Sequence, residues 1–287
     1  MKGIVLAGGT GTRLWPITKG TSKQLLHVFD KPMVYYPLST LMLAGVREIL
    51  IITTPHEQVS FKELLGDGSQ FGISLQYEIQ EKPEGLAQAL IIAEDFLAGD
   101  SCLLILGDNI FYGVGVGQNL AKSISNMGSH IFTYRVKDPQ NYGVLYTVDE
   151  VPVKIVEKPN DGESNLAVTG LYFFDNRASG YAKSIKPGKR GELEITDLID
   201  VYLQQKELGV TYLSRGVAWL DTGTPSGMND AANFVKVMED RTGLKIACLE
   251  EIALSQGWIH SDTLLRNLLN NKSEYAEYLR SVVKSGY

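Results

Sequence analysis

Three short, almost wholly apolar runs constrain this chain more than any other feature. GIVLA at 3–7, EILIITT at 48–54 and CLLIL at 102–106 each have strand length and show no polar face. A strand written this way is buried on both sides, which requires a sheet covered by helices above and below. Between the runs lie stretches with helical spacing: Val34–Ala44, with Pro32 near its start, and the amphipathic Leu86–Leu97. Strand and helix in alternation predict parallel pairing through right-handed crossovers.

From about residue 130 the pattern changes. HIFTYRV, YGVLYTV, VKIVEKP and GLYFF follow one another with short turns, which suggests an inserted or appended antiparallel portion. Helical spacing returns at Glu194–Glu207 and Pro225–Asp240, and the stretch from Leu249 onward is mostly helical. There Tyr275, Tyr278, Leu279, Val282 and Val283 fall on one stripe. Packing on its own domain is the expected fate of that stripe, with a subunit contact as the alternative. The expected fold is α/β, with a Rossmann-like, mostly parallel central sheet flanked by helices, an antiparallel portion and a helical C-terminal segment. The expected organisation is one domain over 1–242, with halves at about 1–128 and 129–224, and a packed segment at 243–287.

Bulk properties exclude several classes. The 287 residues are 44% apolar and carry a net charge of −6, which argues against a nucleic-acid binder. No apolar run approaches the roughly 18 residues of a membrane span. The opening MKGIVLAGG does not read as a signal peptide, because its apolar run ends at glycines. Cys102 and Cys248 sit in apolar stretches without metal-ligand spacing and read as reduced core residues of a cytoplasmic protein. The charge is uneven, however. Lys2, Arg13, Lys19, Lys23 and Lys31 face a single Asp30 in the first 31 residues, either a solvated face or a sink for a small polyanion.

The first strand runs straight into Gly8, Gly9 and Gly11, followed by Arg13 and Lys23. Parallel sheets bind ligands beyond the C-terminal ends of their strands. Glycines there let backbone N–H groups approach an anion, and a helix start would add its dipole. The dinucleotide fingerprint fails, because after Gly9 and Gly11 the third position is Leu14, and the next strand ends ITTPHE without a suitably placed acid for a ribose. The P-loop fails too, for want of a closing Gly-Lys-Ser/Thr. What remains is a glycine turn with an arginine and a lysine downstream, which points to phosphate.

The string LAGGTGTRLWPIT…SKQLL closely resembles the nucleotide-binding signature of sugar-phosphate nucleotidylyltransferases, and fits best the glucose-1-phosphate thymidylyltransferases, which make dTDP-glucose. YEIQEKPEGLAQAL, LILGDNIFYG, YGVLY, IVEKP, VTGLYFFDN, RGELEITDL and AWLDTGT follow in that family's order, and the likeness extends to about residue 260. The resemblance implies Mg²⁺-dependent transfer of a thymidylyl group from dTTP to glucose 1-phosphate, with release of pyrophosphate. UTP or another hexose 1-phosphate is the alternative pairing, and an inactive nucleotide-sugar-binding regulator the alternative class. It further implies a homotetramer with feedback by an end product, acting in the cytoplasm without nucleic-acid or membrane partners.

This chemistry needs no general base, because the attacking phosphate is already ionised. It needs positioning and positive charge. Arg13 can hold two phosphate oxygens with its planar fork, Lys23 can reach the same phosphates, and Lys158 could hold the sugar phosphate from the other side. Asp108 and Asp221 follow strand-like runs and, alone, read as turn residues. As a pair they suit Mg²⁺, which takes oxygen ligands, and the resemblance assigns both to the metal. By resemblance the nucleotide also meets Leu6, Gly8, Gly9, Gly11, Thr12, Gln24, Gln80, Pro83 and Gly85. The hexose pocket falls to Asn109, Tyr142, Gly143, Glu157 and Val168, with Gly143 and Val168 acting through backbone groups. Tyr142 and Trp219 read equally well as core or wall.

Overall fold

The computed structural model describes the whole chain apart from residues 10, 118, 119, 121, 123, 125–127 and 287. Its strands are β1 (Lys2–Leu6), β2 (His27–Val28), β3 (Lys31–Pro32), β4 (Glu48–Thr53), β5 (Ser74–Ile79), β6 (Cys102–Leu106), β7 (Asn109–Gly113), β8 (Ser129–Arg135), β9 (Gly143–Val148), β10 (Val151–Glu157), β11 (Leu166–Phe174), β12 (Leu208–Tyr212) and β13 (Val217–Asp221).

The three apolar runs form the centre of the sheet. β4 and β6 flank β1 in parallel, and β5 adds to β4 in parallel. Neighbouring residues on these strands serve opposite faces. Val5, Ile49, Ile51, Leu103 and Ile105 belong to one core cluster, while Ile4, Leu6, Leu50, Ile52 and Leu104 belong to the other. Helix Tyr35–Leu43 covers the first face and the pair Gln88–Ile92 and Ala178–Ser184 the second. Burial on both faces is what the continuous apolar pattern requires.

Beyond β6 the sheet turns antiparallel at β11, whose nine residues are all buried. β8 lies along one side of β11 for its whole length, with a register shift between Val168 and Tyr172. The other side is shared. Leu171–Phe174 pair with β6, whereas Leu166 and Ala167 pair with β9. β6 therefore ends where β9 begins, and the sheet is open between them, opposite Thr169. β10 extends β9, and β12 runs parallel to β8. The α/β reading holds, with a nine-stranded sheet that is mixed: parallel from β5 to β6, antiparallel among β6, β11, β8, β9 and β10, and parallel again where β12 joins β8.

Smaller differences have local causes. Leu86–Leu97 is two short helices, Gln88–Ile92 and Glu94–Leu97. Helix Pro225–Thr242 starts where expected, with Thr224 Oγ1 accepting from Gly227 N at 3.1 Å, and ends at Gly243, whose φ is +68°. The stripe on helix Glu274–Ser285 packs on its own chain. Leu279 and Val282 are buried, and the Tyr275 and Tyr278 hydroxyls donate to Glu250 and Glu251, each at 2.6 Å. Cys102 and Cys248 are buried and free, their thiols pushed up to about 12 by burial. No helix among the described residues is long and apolar enough to cross a membrane.

Candidate active site

The opening between β6 and β9 widens into a cavity of about 260 Å³ lined by residues from both halves of the sheet. On the β1 side stand Leu6, Gly8, Arg13, Lys23 and Gln24. A Cβ on Gly8 would lie 2.4 Å from Gln80 Oε1, so any side chain there would displace the Gln80 amide. Gly11 takes φ +57° and its carbonyl accepts from Thr18 Oγ1 at 2.9 Å. The loop does not lead into an α-helix. Arg13 and Lys23 each sit in a single 3-10 turn, Thr12–Leu14 and Lys23–Leu25. The helix dipole expected here is therefore missing, and what faces an anion is backbone N–H plus two cations. Gly9, Gly11 and Thr12 shape the loop without lining the cavity.

Gln80 also stands behind the lining, 4% exposed, its amide donating to Gln88 Oε1 at 2.6 Å and Gly85 O at 3.3 Å. Pro83 and Gly85 lie outside the lining as well. Gly85, at φ +112°, has no space for a side chain. A Cβ there would fall 2.3 Å from the Leu193 carbonyl oxygen.

The two aspartates come together through a strand pair. Gly107 and Asp108 form the turn after β6, and β7 then runs antiparallel to β13 with Asn109 opposite Asp221. Thr222 fastens the junction, its N and Oγ1 donating to the Asp108 carbonyl at 3.1 and 2.8 Å. Lys23 Nζ makes an ion pair with Asp108 Oδ2, and Asn109 Nδ2 donates to Oδ1 at 3.0 Å. Burial pushes the Asp108 carboxyl up, but the adjacent ammonium and these hydrogen bonds outweigh it and hold the group below its usual range. Asp221 is shifted the other way by burial and by the Asp108 charge, against Lys23, the Gly223 N–H and Arg13. A cation between the two would relieve that repulsion. The donor set is all oxygen, which suits a magnesium-like ion that completes its shell with phosphates and water.

Asn109 faces the cavity but is occupied on three sides. Its Oδ1 accepts from Trp219 Nε1 at 2.6 Å and Gly170 N at 3.0 Å. Trp219 is 8% exposed and packs on Tyr142, ring centroids 5.1 Å apart, so the indole is a wall.

The far side is built from β9, β10 and β11. Tyr142, Gly143, Glu157, Lys158 and Val168 all line the cavity. Lys158 has φ +45°, a rare conformation for a side-chain-bearing residue, held by its N–H donating to Tyr142 O at 2.9 Å. Its ammonium lies 3.7 Å from Glu157 Oε1. Burial pushes the Glu157 carboxyl up against the opposing charges of Lys158 and Arg190. Several further lining residues were not expected, Arg190 and Thr196 among them. Arg190 lies 3.4 Å from Glu157 and 2.7 Å from Glu194. Thr196 is 3% exposed, and its Oγ1 has no hydrogen-bond partner among the described residues. Both belong to RGELEITDL, but a charged run before a helix reads as a solvated turn, and nothing local says that it folds over a cavity.

A cleft that gathers Arg13, Lys23, Lys158 and Arg190 around two neighbouring aspartates defines a phosphate-transfer site. The nucleotidyl transferase family profile matches residues 2–237, and the chain belongs to that family. Within it, the glucose-1-phosphate thymidylyltransferase of Neisseria meningitidis serogroup A is 54% identical over 288 residues, covering 99% of this chain and 100% of the relative. That of Mycobacterium tuberculosis H37Rv is 49% identical, covering 100% and 96%. Among solved structures, a Bacillus anthracis chain described as a glucose-1-phosphate thymidylyltransferase in complex with a sucrose matches with TM-score 0.76 and 39% identity, covering 82% of this chain and 94% of that one. A UDP-glucose pyrophosphorylase complexed with UDP-glucose matches with TM-score 0.73 and 25% identity, covering 83% and 98%.

Proposed function

We propose that this cleft transfers a thymidylyl group from dTTP to glucose 1-phosphate, giving dTDP-glucose and pyrophosphate. The observation that carries the reading is the presence in one cavity of four cationic side chains, from opposite sides of the opening, together with the Asp108–Asp221 pair. A phosphate oxygen of the sugar phosphate forms a bond to the α-phosphorus of dTTP, and the α–β bridging bond breaks with its electrons leaving on pyrophosphate. No histidine lines the cavity among the described residues, and none is needed, because the nucleophile is an anion at neutral pH.

The loop at Gly8 and the forked Arg13 hold the triphosphate, and Lys23 serves the same phosphates. Lys158 and Arg190 hold the sugar phosphate from the other strand system. A cation about 4 Å from a phosphate gains roughly 4 kcal/mol at an effective dielectric near 20, so a few such contacts offset the repulsion between substrates. Gln24, whose Oε1 already accepts from Ser22 at 2.8 Å, presents its amide nitrogen to the base. Glu157 accepts from adjacent sugar hydroxyls, and the unpartnered Thr196 hydroxyl gives a third polar contact on that side. Asp108 and Asp221 would hold Mg²⁺, which when bound supplies charge neutralisation and polarises the α-phosphate. A cytoplasmic homotetramer with end-product feedback completes this reading.

The test is pyrophosphate release with glucose 1-phosphate and each of dTTP, UTP, ATP, CTP and GTP, with Mg²⁺ and with EDTA. Mg²⁺-dependent release with dTTP and little with the purines or CTP is expected. Comparable UTP turnover would widen the activity to both pyrimidines. No release with any nucleotide would overturn the substrate assignment.

A further inference from the structure

In this structure the Lys23 ammonium does not point into open cleft. It lies on Asp108 Oδ2, with the two side chains only 12% and 15% exposed. The other oxygen, Oδ1, is held by Asn109 Nδ2 at 3.0 Å. Asp221 stands beside this group through the β7–β13 ladder, and the Arg13 guanidinium lies at its flank, 3.1 Å from the point where a Cβ on Gly223 would sit. The carboxylate pair therefore already has a counter-ion drawn from the protein.

We infer that Lys23 is the resident cation of the Asp108–Asp221 pair and moves to the triphosphate only when a divalent ion replaces it there. The inference rests on the metal site proposed above and adds the order in which that site is loaded. Of the two donors on Asp108, only one is free to leave. Asn109 is pinned by Trp219 Nε1 at 2.6 Å and Gly170 N at 3.0 Å. Lys23 ends a flexible four-carbon stem, with Asp108 as its one side-chain hydrogen-bond partner among the described residues. Exchange also balances charge. The pair gives up one positive charge for two as the released ammonium meets a phosphate. Metal and nucleotide then favour one another, and each must raise the affinity of the other by the same factor.

The discriminating measurement is Mn²⁺ binding to the protein without sugar phosphate, read by electron paramagnetic resonance. Lys23→Met, with Lys23→Gln as a second variant, is expected to bind Mn²⁺ at least about tenfold more tightly than wild type in the absence of dTTP, which corresponds to about 1.4 kcal/mol. Adding Asp221→Asn to Lys23→Met should abolish the gain. If both lysine variants bind Mn²⁺ within twofold of wild type, while wild type binds it in the presence of dTTP, the exchange is refuted and the metal site stands. A gain that survives Asp221→Asn places the ion elsewhere and also refutes the exchange. If no protein holds Mn²⁺ with or without dTTP, the metal site itself falls, and this inference with it.

Discussion

Replacing Asn109 with leucine keeps the size of the side chain and removes a junction. Asn109 is 3% exposed and joins three elements: Trp219 on β13, Gly170 on β11 and Asp108 before β7. Leucine leaves the buried Trp219 indole N–H and Gly170 amide N–H without their acceptor. An unpaired buried donor costs about 1–3 kcal/mol, so the two together come to about 4 kcal/mol. The Asp108 oxygen adds little, because Lys23 remains beside that carboxylate. For a chain of this size each kcal/mol is worth about 2–4 °C, so the variant should melt roughly 8–16 °C below wild type by calorimetry. Asn109→Asp keeps the acceptor and should lose much less stability at acid pH than at neutral pH, where it places a second charge against Asp108. A leucine variant melting within about 2 °C of wild type would refute the assignment of these hydrogen bonds as the junction.

Gly85→Ala should be costly through strain, because φ is +112° and the new Cβ would meet the Leu193 backbone at 2.3 Å. A loss of at least about 2 kcal/mol in urea denaturation is expected, and a loss under about 0.5 would show that the loop yields freely. Arg190→Ala should raise KM for glucose 1-phosphate roughly 30-fold, equivalent to about 2 kcal/mol for one charged contact, while leaving KM for dTTP within a few-fold; equal effects on both would argue against a sugar-phosphate role. His130 is pushed down to about 4 by burial, from the ordinary 6.5, with Nε2 at 2.8 Å from Thr211 Oγ1. The unfolded chain takes the proton first, so the contribution to stability is complete above pH 6.5 and declines as pH falls toward 4. His130→Gln should flatten that slope in denaturation curves across this range, and an unchanged slope would exclude His130 as its source.

Much of the frame was legible because it follows from burial alone. Ile4–Ala7, the 48–54 run and Cys102–Leu106 had to be strands covered on both faces, and the glycines after the first marked the mouth of the site. Asp108 and Asp221 could be suspected from their positions after strands, but their approach depends on the β7–β13 ladder, which nothing in either motif encodes. β5 went unnoticed because an edge strand alternates and its SLQYEI carries few apolar residues. Arg190 is not marked as a site residue by its own motif, since its placement depends on the packing of the 188–194 loop around Gly85. The dipole expected behind the glycine turn failed for a local reason: among the described residues the chain makes three 3-10 turns, Thr12–Leu14, Ile17–Lys19 and Lys23–Leu25, before the first α-helix at Tyr35–Leu43.

The shared side of β11 has a consequence for the birth of the molecule. When the ribosome has made the first 135 residues, β1, β4, β5 and β6 are present, and β8 has just emerged. The outer edge of β6, the apolar CLLIL, has no partner until residues 171–174 arrive, and β8 waits still longer for β12 at 208–212. An unpaired apolar edge is a template for other chains. The finished protein buries residues 102–105 of that strand and leaves only Leu106 at the cavity, so the hazard belongs to the nascent chain. Overproduction at high temperature or with slow codons between 107 and 174 should therefore raise the insoluble fraction without altering the stability of the protein once released.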